Sequence, residues 1–178
     1  VLGKTKAAAA DLSAQISGKG FEKKYLAVVC DETGLDGKVE EPITLADYLI
    51  KNPTTGRAEV VSESAKQNAK IKVNKAILHY TTKASCLKCE NEKIKLLEIA
   101  LETGRFHQIR AQMSHAGMSL LGDGKYSTDR AKCLSAELNI KDVVLCAYKL
   151  RFIHPKTGKA LQYEIKPRKE AFSMFEEK

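Results

Sequence analysis

The chain has no long apolar segment. Its apolar runs fall far short of the roughly 18 residues that a membrane-spanning helix needs. The first residues also lack the charged and then apolar pattern of a secretory signal peptide. These two absences argue against a membrane protein and favour a cytoplasmic one, although a start inside a longer protein would hide a targeting segment.

Cysteine is sparse, and the five that are present are an odd number, which does not suit a disulfide framework. Cys86 and Cys89 have the spacing of half a zinc site, but no second pair follows, because Cys133 and Cys146 stand alone. The pair lies between two strand-like segments, whereas a redox pair is expected at the start of a helix. We predict reduced thiols in a hairpin loop and no metal site.

The composition describes one globular domain with an excess of positive charge. Its 178 residues, 43% of them hydrophobic, are enough to build a core. Lysine and arginine number 30 against 22 aspartates and glutamates, which gives a formal charge of +8. Such an excess favours a polyanionic partner through phosphate neutralisation. Because many basic domains bind no nucleic acid, the charge supports an RNA partner only beside other evidence.

The chain shows no βαβ rhythm and no internal repeat, and predicted strands outnumber predicted helices. We therefore predict an α+β fold in a single domain over residues 1–178, with a mixed, mostly antiparallel sheet flanked by helices. In the first helix, which Thr5 caps and Gly18 ends, Leu12 and Ile16 should face the core. The predicted strands are 23–30, 57–61, 76–83, 94–102, 143–153 and 160–166, and further helices are predicted after residue 105, at 131–138 and at 170–177.

Residues 101–110 carry the densest chemistry of the chain, with two arginines, a histidine and a glutamine where a strand gives way to a helix. In the strand, Leu97, Ile99 and Leu101 fall on one face, which predicts that this face is buried. Glu98 and Glu102 fall on the other. The strand therefore delivers this corner with its apolar side chains in a core.

The helix after the corner is predicted to be amphipathic. Phe106, Ile109, Met113 and Ala116 recur at helical spacing and predict a buried face, and Gly117 is placed to end the helix in a left-handed conformation.

A second face of this helix carries His107, Arg110 and Ser114, which lie three and four residues apart. Because the first backbone N–H groups of a helix have no internal partner, Arg105 and His107 would add charge and donors to an anion site there. The alternative is a basic amphipathic helix whose arginines are solvated and whose histidine caps a turn. Periodicity alone favours neither interpretation.

Four segments together resemble a known enzyme family. Gly104-Arg105-Phe106-His107-Gln108-Ile109-Arg110, followed by residues 120–126, resembles the third signature region of RluA-type pseudouridine synthases. Residues 23–29 resemble the tyrosine-bearing strand of that family, and residues 147–158 resemble its closing hairpin. The segments occur in the family's order through nearly the whole chain, which makes the match specific.

The resemblance implies the pseudouridine synthase catalytic-domain fold and an isomerase that converts uridine to pseudouridine in structured RNA, either rRNA or tRNA. The base is detached from its ribose, turned and rejoined through carbon, with no metal or other cofactor. Extruding the base from its stack costs a few kcal/mol, which contacts to phosphates and to the flipped ring must offset. RNA is the implied partner, with no membrane and no obligatory protein partner.

The resemblance also assigns roles to individual residues. By motif match, Arg110 would pair with the nucleophilic aspartate, and Tyr25 would cover the ring and serve proton transfer. Ile109 would pack against the base. Without the family pattern, the same residues predict a core tyrosine, a core isoleucine and a surface ion pair.

Three other residues of the signature are expected to bind RNA or to shape the corner. The resemblance places Arg105, His107 and Gln108 in the substrate-binding group. Arg105 and His107 fit phosphate or structural contacts better than chemical steps, and Gln108 is expected to anchor the corner by hydrogen bonds.

One element of the family is missing from the chain. Family members carry the nucleophile in a His-Arg-Leu-Asp element, just before a strand that resembles residues 1–6. None of the aspartates here stands in such a sequence, and Asp11, the nearest, belongs to an alanine-rich helical segment. We therefore predict an N-terminally truncated domain that begins inside that strand and is inactive. Uncovered apolar surface should cause self-association or reduced stability.

Two other functions stay open on the sequence. The chain could be a non-catalytic RNA-binding module that keeps the groove without the reaction. The third and weaker hypothesis is a cysteine-based metal or redox protein.

Overall fold

A single antiparallel sheet organises the chain in a computed structural model that describes residues 1–18, 20–34, 41–67, 71–88, 92–168 and 170–175. The strands are β1 (Glu22–Asp31), β2 (Ile43–Lys51), β3 (Ala58–Val61), β4 (Asn74–Lys88), β5 (Glu92–Leu101), β6 (Met118–Leu120), β7 (Leu145–Ile153) and β8 (Ala160–Glu164). The helices are α1 (Lys6–Ser17), α2 (Gln108–His115) and α3 (Asp129–Glu137), with 3-10 turns at Glu63–Gln67 and Glu170–Phe175.

Seven of the eight described strands run in the order β3-β2-β4-β5-β1-β7-β8, and the eighth, β6, pairs with the end of β1. Every pairing between the described strands is antiparallel. This confirms the predicted α+β class and its antiparallel sheet. Because β1 is central and β5 leads directly to α2, the tyrosine-bearing strand and the signature corner belong to the same part of the sheet.

One face of the sheet packs against α2. Leu97 and Ile99 of β5 are fully buried there, as their alternation predicts, together with Ile109 and Met113 of α2. Each such side chain contributes about 1.5–3 kcal/mol when it leaves water. The burial of this face fixes the position and rotation of α2, and with them the residues that the helix carries.

The opposite face packs against α3 and the C-terminal 3-10 turn. Val28 and Ile94 of the sheet contact the cluster that Leu134 and Phe172 complete. Since alternate residues of β1 contribute to the two clusters, the strand is buried on both faces near its end, as its apolar run predicts.

Helix α1 is capped as predicted, because the hydroxyl of Thr5 accepts the backbone N–H of Ala8 at 3.2 Å. Leu12 is buried, but Ile16 is 51% exposed, so its predicted core position is wrong. Residues 1–5 form no strand, which corrects the expectation drawn from the family pattern. Among the described residues, no helix is both long and apolar enough to span a membrane.

Three local predictions around the corner differ from the structure. Phe106 precedes α2 and is 44% exposed, because α2 begins two residues later than its apolar spacing predicts. Cys86 belongs to β4 and not to a loop, since β4 extends to Lys88, and Cys89 lies outside the described residues. The short strand β6 was not predicted, whereas Gly117, just before it, has the predicted left-handed conformation with φ 74°.

Candidate active site

The corner between β5 and α2 is held by Gln108, which is 2% exposed. Its side-chain oxygen accepts the Thr103 hydroxyl and the Arg105 backbone N–H, both at 2.9 Å. Its side-chain nitrogen donates to the carbonyl of Ile77 on β4 at 3.0 Å. Gln108 thus anchors the corner by hydrogen bonds, as predicted. Direct contact with RNA stays a prediction that this burial does not favour.

His107 caps the start of α2 in a left-handed conformation, with φ 49° and ψ 28°. A residue with a Cβ costs about 1–2 kcal/mol in that region, and such strain persists where the surroundings fix it. Here the ring stacks on Phe106 with centroids 3.8 Å apart, and Nδ1 lies 3.0 Å from the Tyr126 phenol oxygen. The strained backbone therefore aims the imidazole at Tyr126.

Tyr126 contacts His107, Arg110 and Ser114, the three residues that were predicted to share the second face of α2. Its hydroxyl shares a hydrogen bond with His107. The centroid of its ring lies 4.7 Å from the guanidinium carbon of Arg110, and its backbone carbonyl accepts a hydrogen bond from the Ser114 hydroxyl. The phenol oxygen also accepts the backbone N–H of Ala58 on β3 at 2.7 Å. Tyr126 therefore links α2 to the edge of the sheet.

Arg110 and Asp123 form a two-pronged ion pair. Nε and Nη2 of Arg110 each donate to one carboxylate oxygen of Asp123 at 2.6 Å. The carboxylate also accepts the backbone N–H groups of Lys125 and Tyr126, at 2.9 and 3.0 Å. The Asp123 side chain is 1% exposed and that of Arg110 is 18% exposed. The pair is therefore largely shielded from water, whereas the sequence without the family pattern predicts a surface ion pair for Arg110.

The ionisation of both partners follows from this geometry. The hydrogen bond to Asp123 raises the pKa of Arg110. Burial opposes ionisation of Asp123, but the hydrogen bonds from Arg110 and from the backbone of Lys125 and Tyr126 outweigh it and lower the pKa of Asp123. Both groups are charged at neutral pH, so the guanidinium is fixed in position before any substrate arrives.

Gly122 places Asp123 in this position. It has φ 72°, and a Cβ at this residue would lie 2.3 Å from the carbonyl oxygen of Asp142. Only glycine fits such a close approach in a left-handed conformation. Asp123 lies within the segment 120–126 that resembles the family signature, but the resemblance assigns it no role. Its position between two glycines, thirteen residues after Arg110, was the available signal.

Tyr25 and Ile109 meet the same apolar cluster. Ile109 is 5% exposed and belongs to the cluster on the α2 face of the sheet, and the half-buried Tyr25 packs against that cluster from β1. Burial raises the pKa of Tyr25, which keeps the phenol protonated at neutral pH. No hydrogen bond, ion pair or ring contact in the described part of the chain joins Tyr25 to Arg110.

Tyr25 also lines an open cleft of about 450 Å³ on this face of the molecule. Other walls of the cleft come from Val1, Ile16 and Phe21, and from the hairpin of β7 and β8. The cleft gives the phenol ring access from outside the core.

Arg105 and His107 face different environments. Arg105 is exposed, and its Nε donates to the carbonyl of Lys75 at 3.0 Å. Burial, followed by the charges of Arg110 and Lys125, lowers the pKa of His107, so the imidazole is neutral at pH 7. Within the residues that the structure covers, no group of three or more histidine, cysteine, aspartate or glutamate side chains is arranged to bind a metal.

Comparison with known proteins gives the same family in three ways. Residues 1–115 match a family model described as RNA pseudouridylate synthase. The chain is 30% identical over 166 residues to ribosomal large subunit pseudouridine synthase D of Zymomonas mobilis, covering 92% of this chain and 47% of that protein. It is 31% identical over 163 residues to ribosomal large subunit pseudouridine synthase C of Buchnera aphidicola, covering 90% and 46%.

The fold is also that of a solved relative. Human RNA pseudouridylate synthase domain containing 1 superimposes with a TM-score of 0.67 at 21% identity, covering 92% of this chain and 62% of that one. The chain spans about half the length of the curated relatives it matches. On the matched signature and the shared sheet, the chain belongs to the RluA-type family of RNA pseudouridine synthases.

Proposed function

We propose that this chain is part of the catalytic domain of an enzyme that isomerises uridine to pseudouridine in structured RNA, either rRNA or tRNA. The relatives named as ribosomal large subunit synthases support rRNA as the substrate class. The formal charge of +8 supports a polyanionic substrate. A cytoplasmic location belongs to the same proposal.

The observation that carries the proposal is the Arg110–Asp123 pair beside the apolar cluster of Ile109. Asp123 holds the guanidinium through Nε and Nη2, so Arg110 is oriented without help from the substrate. A guanidinium fixed in this way favours the ionised state of a second carboxylate that approaches it, which a nucleophilic aspartate requires. Asp123 is therefore the positioning residue for Arg110 in this proposal.

The neighbouring residues would receive the base. Ile109 lies next to Arg110 in the chain and belongs to the cluster against which Tyr25 packs. An apolar side chain and a phenol suit a flipped uracil, because the apolar side chain packs on the ring and the phenol would serve proton transfer at carbon. Arg105 and His107 would bind the RNA phosphates on either side of the flipped nucleotide.

We further propose that the chain by itself performs no turnover, because no aspartate in it stands in a His-Arg-Leu-Asp element. The test is to incubate the chain with uridine-containing rRNA and tRNA and to quantify pseudouridine by mass spectrometry. We expect RNA binding without product. Product formed by the chain alone would overturn the claim that it lacks its nucleophile.

The competing function is an RNA-binding module that never catalyses. The full-length gene product discriminates the two functions. A His-Arg-Leu-Asp element in it, together with pseudouridine formation, would exclude the module. A full-length protein that binds the same RNA without forming pseudouridine would exclude the enzyme.

We also propose that two copies of the isolated chain associate through the cleft beside Tyr25, in competition with the RNA base that this cleft would admit. The cleft is bordered by Val1, Ile16, Tyr163 and Ile165, each more than half exposed. Burying such apolar side chains against a second copy is favourable. Sedimentation at several concentrations should show a dimer, and a stable monomer at the highest concentration would contradict it.

A further inference from the structure

Phe106 is an aromatic residue that the core does not use. It lies on the corner before α2 and is 44% exposed. Its ring stacks on His107 with an interplanar angle of 22° and centroids 3.8 Å apart. Since the backbone of His107 is held in a left-handed conformation, the stack projects from the corner in one fixed direction.

The surroundings of Phe106 are positively charged. Nζ of Lys51, the last residue of β2, lies 4.8 Å from the centroid of the Phe106 ring. The positive charges of Arg110, Lys125 and Lys51 act on the adjacent His107, opposed by the negative charge of Asp123. An exposed ring among cations is suited to a partner that combines a flat π-face with negative charge, which describes a nucleotide.

The ring is also connected to the candidate active site. His107 meets Tyr126 edge to face with centroids 5.6 Å apart, and Tyr126 lies under the guanidinium of Arg110. Phe106 is therefore the outer end of a row of contacts whose inner end is the Arg110–Asp123 pair. A base on Phe106 would lie at a set distance from the residue that orients the nucleophile.

We propose that Phe106 is a stacking platform for an unpaired base next to the target uridine, and that Lys51 leaves the ring to contact a backbone phosphate when RNA binds. The inference rests on the proposed function, since it assigns the bound nucleotide to RNA. It goes further by adding Phe106 and Lys51 to the RNA-binding surface.

The experiment uses a single-stranded uridine-rich oligoribonucleotide that carries one 2-aminopurine, whose fluorescence falls when it stacks. The chain should bind the probe and quench it. Phe106→Ala should weaken binding about 5- to 100-fold and remove the quenching, which is the range for the loss of one stacked base. Phe106→Trp should keep both, because a larger ring still stacks.

Two further variants separate stacking from charge and from general exposure. Lys51→Ala should leave the quenching in place and lower the salt dependence of binding by about one phosphate contact. Leu87→Ala removes another exposed apolar side chain, near the end of β4, and should change nothing. Circular dichroism of each variant confirms that it is folded.

The possible failures are distinguishable. If Phe106→Ala binds and quenches like the unmodified chain, the platform is wrong while RNA binding stands. If Leu87→Ala loses as much as Phe106→Ala, the effect is not specific and the platform is again wrong. If the unmodified chain binds no RNA under any salt condition, the RNA substrate of the proposed function fails, and the platform fails with it.

Discussion

Arg110 and Asp123 face each other across two hydrogen bonds of 2.6 Å, and two backbone N–H groups complete the coordination of the carboxylate. The pair joins α2 to the segment that follows β6. It is therefore both a tertiary link and the feature that orients the guanidinium of the candidate active site.

Replacing Asp123 with asparagine should destabilise the chain by about 3 kcal/mol, because Arg110 would keep a charge that is largely out of water and no longer paired. Urea unfolding followed by circular dichroism measures this difference. The control is Asp129→Asn, which breaks the exposed pair with Lys132 and should change stability by no more than about 1 kcal/mol. Equal losses in the two variants would contradict a special role for the buried pair.

Stability should fall in acid because of Asp123. Its folded-state pKa is lowered, so its contribution is fully present above the unfolded value of about 3.9 and is lost as pH falls through the lower folded value. The urea midpoint should therefore be level from pH 7 to about pH 5 and should decline below about pH 4. The decline should be shallower in Asp123→Asn. If the urea midpoint of Asp123→Asn declines just as steeply in acid, the loss of stability comes from other carboxylates.

The buried pair of Lys95 and Asp31 should be as sensitive as the pair at the site. Nζ of Lys95 lies 2.6 Å from Asp31, and their side chains are 5% and 0% exposed. Lys95→Met should cost about 3–5 kcal/mol, because the Asp31 carboxylate loses its counter-charge inside the protein. The control is Lys149→Met, whose partner Glu164 is half exposed. A loss of no more than about 1 kcal/mol for Lys95→Met would show that Asp31 takes up a proton or finds water.

Gln108→Glu should loosen the corner, because a carboxylate cannot donate to the carbonyl of Ile77. The buried acceptor and the buried charge together should cost at least about 2 kcal/mol. Hydrogen exchange at residues 103–108 should quicken in this variant. Gln162→Glu, an exposed position on β8, is the matched control. Unchanged exchange in Gln108→Glu would mean that the corner does not depend on this amide.

Tyr25→Phe should separate catalysis from packing in a longer form of the protein that carries the nucleophile. The ring is kept, so RNA binding and stability should hold, whereas loss of the phenol, to which we assign proton transfer in the proposed function, should lower kcat by about 10²- to 10⁴-fold. Pseudouridine formation under saturating RNA measures kcat. Tyr163→Phe serves as the control. A fully active Tyr25→Phe enzyme would reduce Tyr25 to a core residue.

The features that the sequence predicted correctly are those that follow from the local spacing of apolar residues. The alternation around Ile99 predicted the buried face of β5, and the spacing of Ile109 and Met113 predicted the buried face of α2. Such patterns are readable because one face of the element meets one cluster. Thr5 at the start of α1 and Gly117 after α2 were readable for a similar reason, since caps depend on one residue type.

What the sequence did not predict depends on partners distant in the chain. In the sequence, nothing distinguishes Lys95 and Asp31 from other charged residues. The sheet brings Nζ of Lys95 within 2.6 Å of the Asp31 carboxylate. The left-handed backbone of His107 was missed because its stabilising contacts with Tyr126 lie nineteen residues away. Phe106 was assigned to the core by its spacing, and only the observed start of α2 shows that it lies outside.

The hydrogen bond from the Ala58 N–H to the Tyr126 phenol has a consequence for solubility. β3 is the last strand at its end of the sheet, and an outermost strand with unoccupied amides can recruit a strand from another molecule. The phenol occupies one of those amides and places a bulky ring beside it. Tyr126→Ala, which removes both the hydroxyl and the ring, would therefore expose a template for intermolecular strand addition, and this border of the sheet would become a starting point for aggregates.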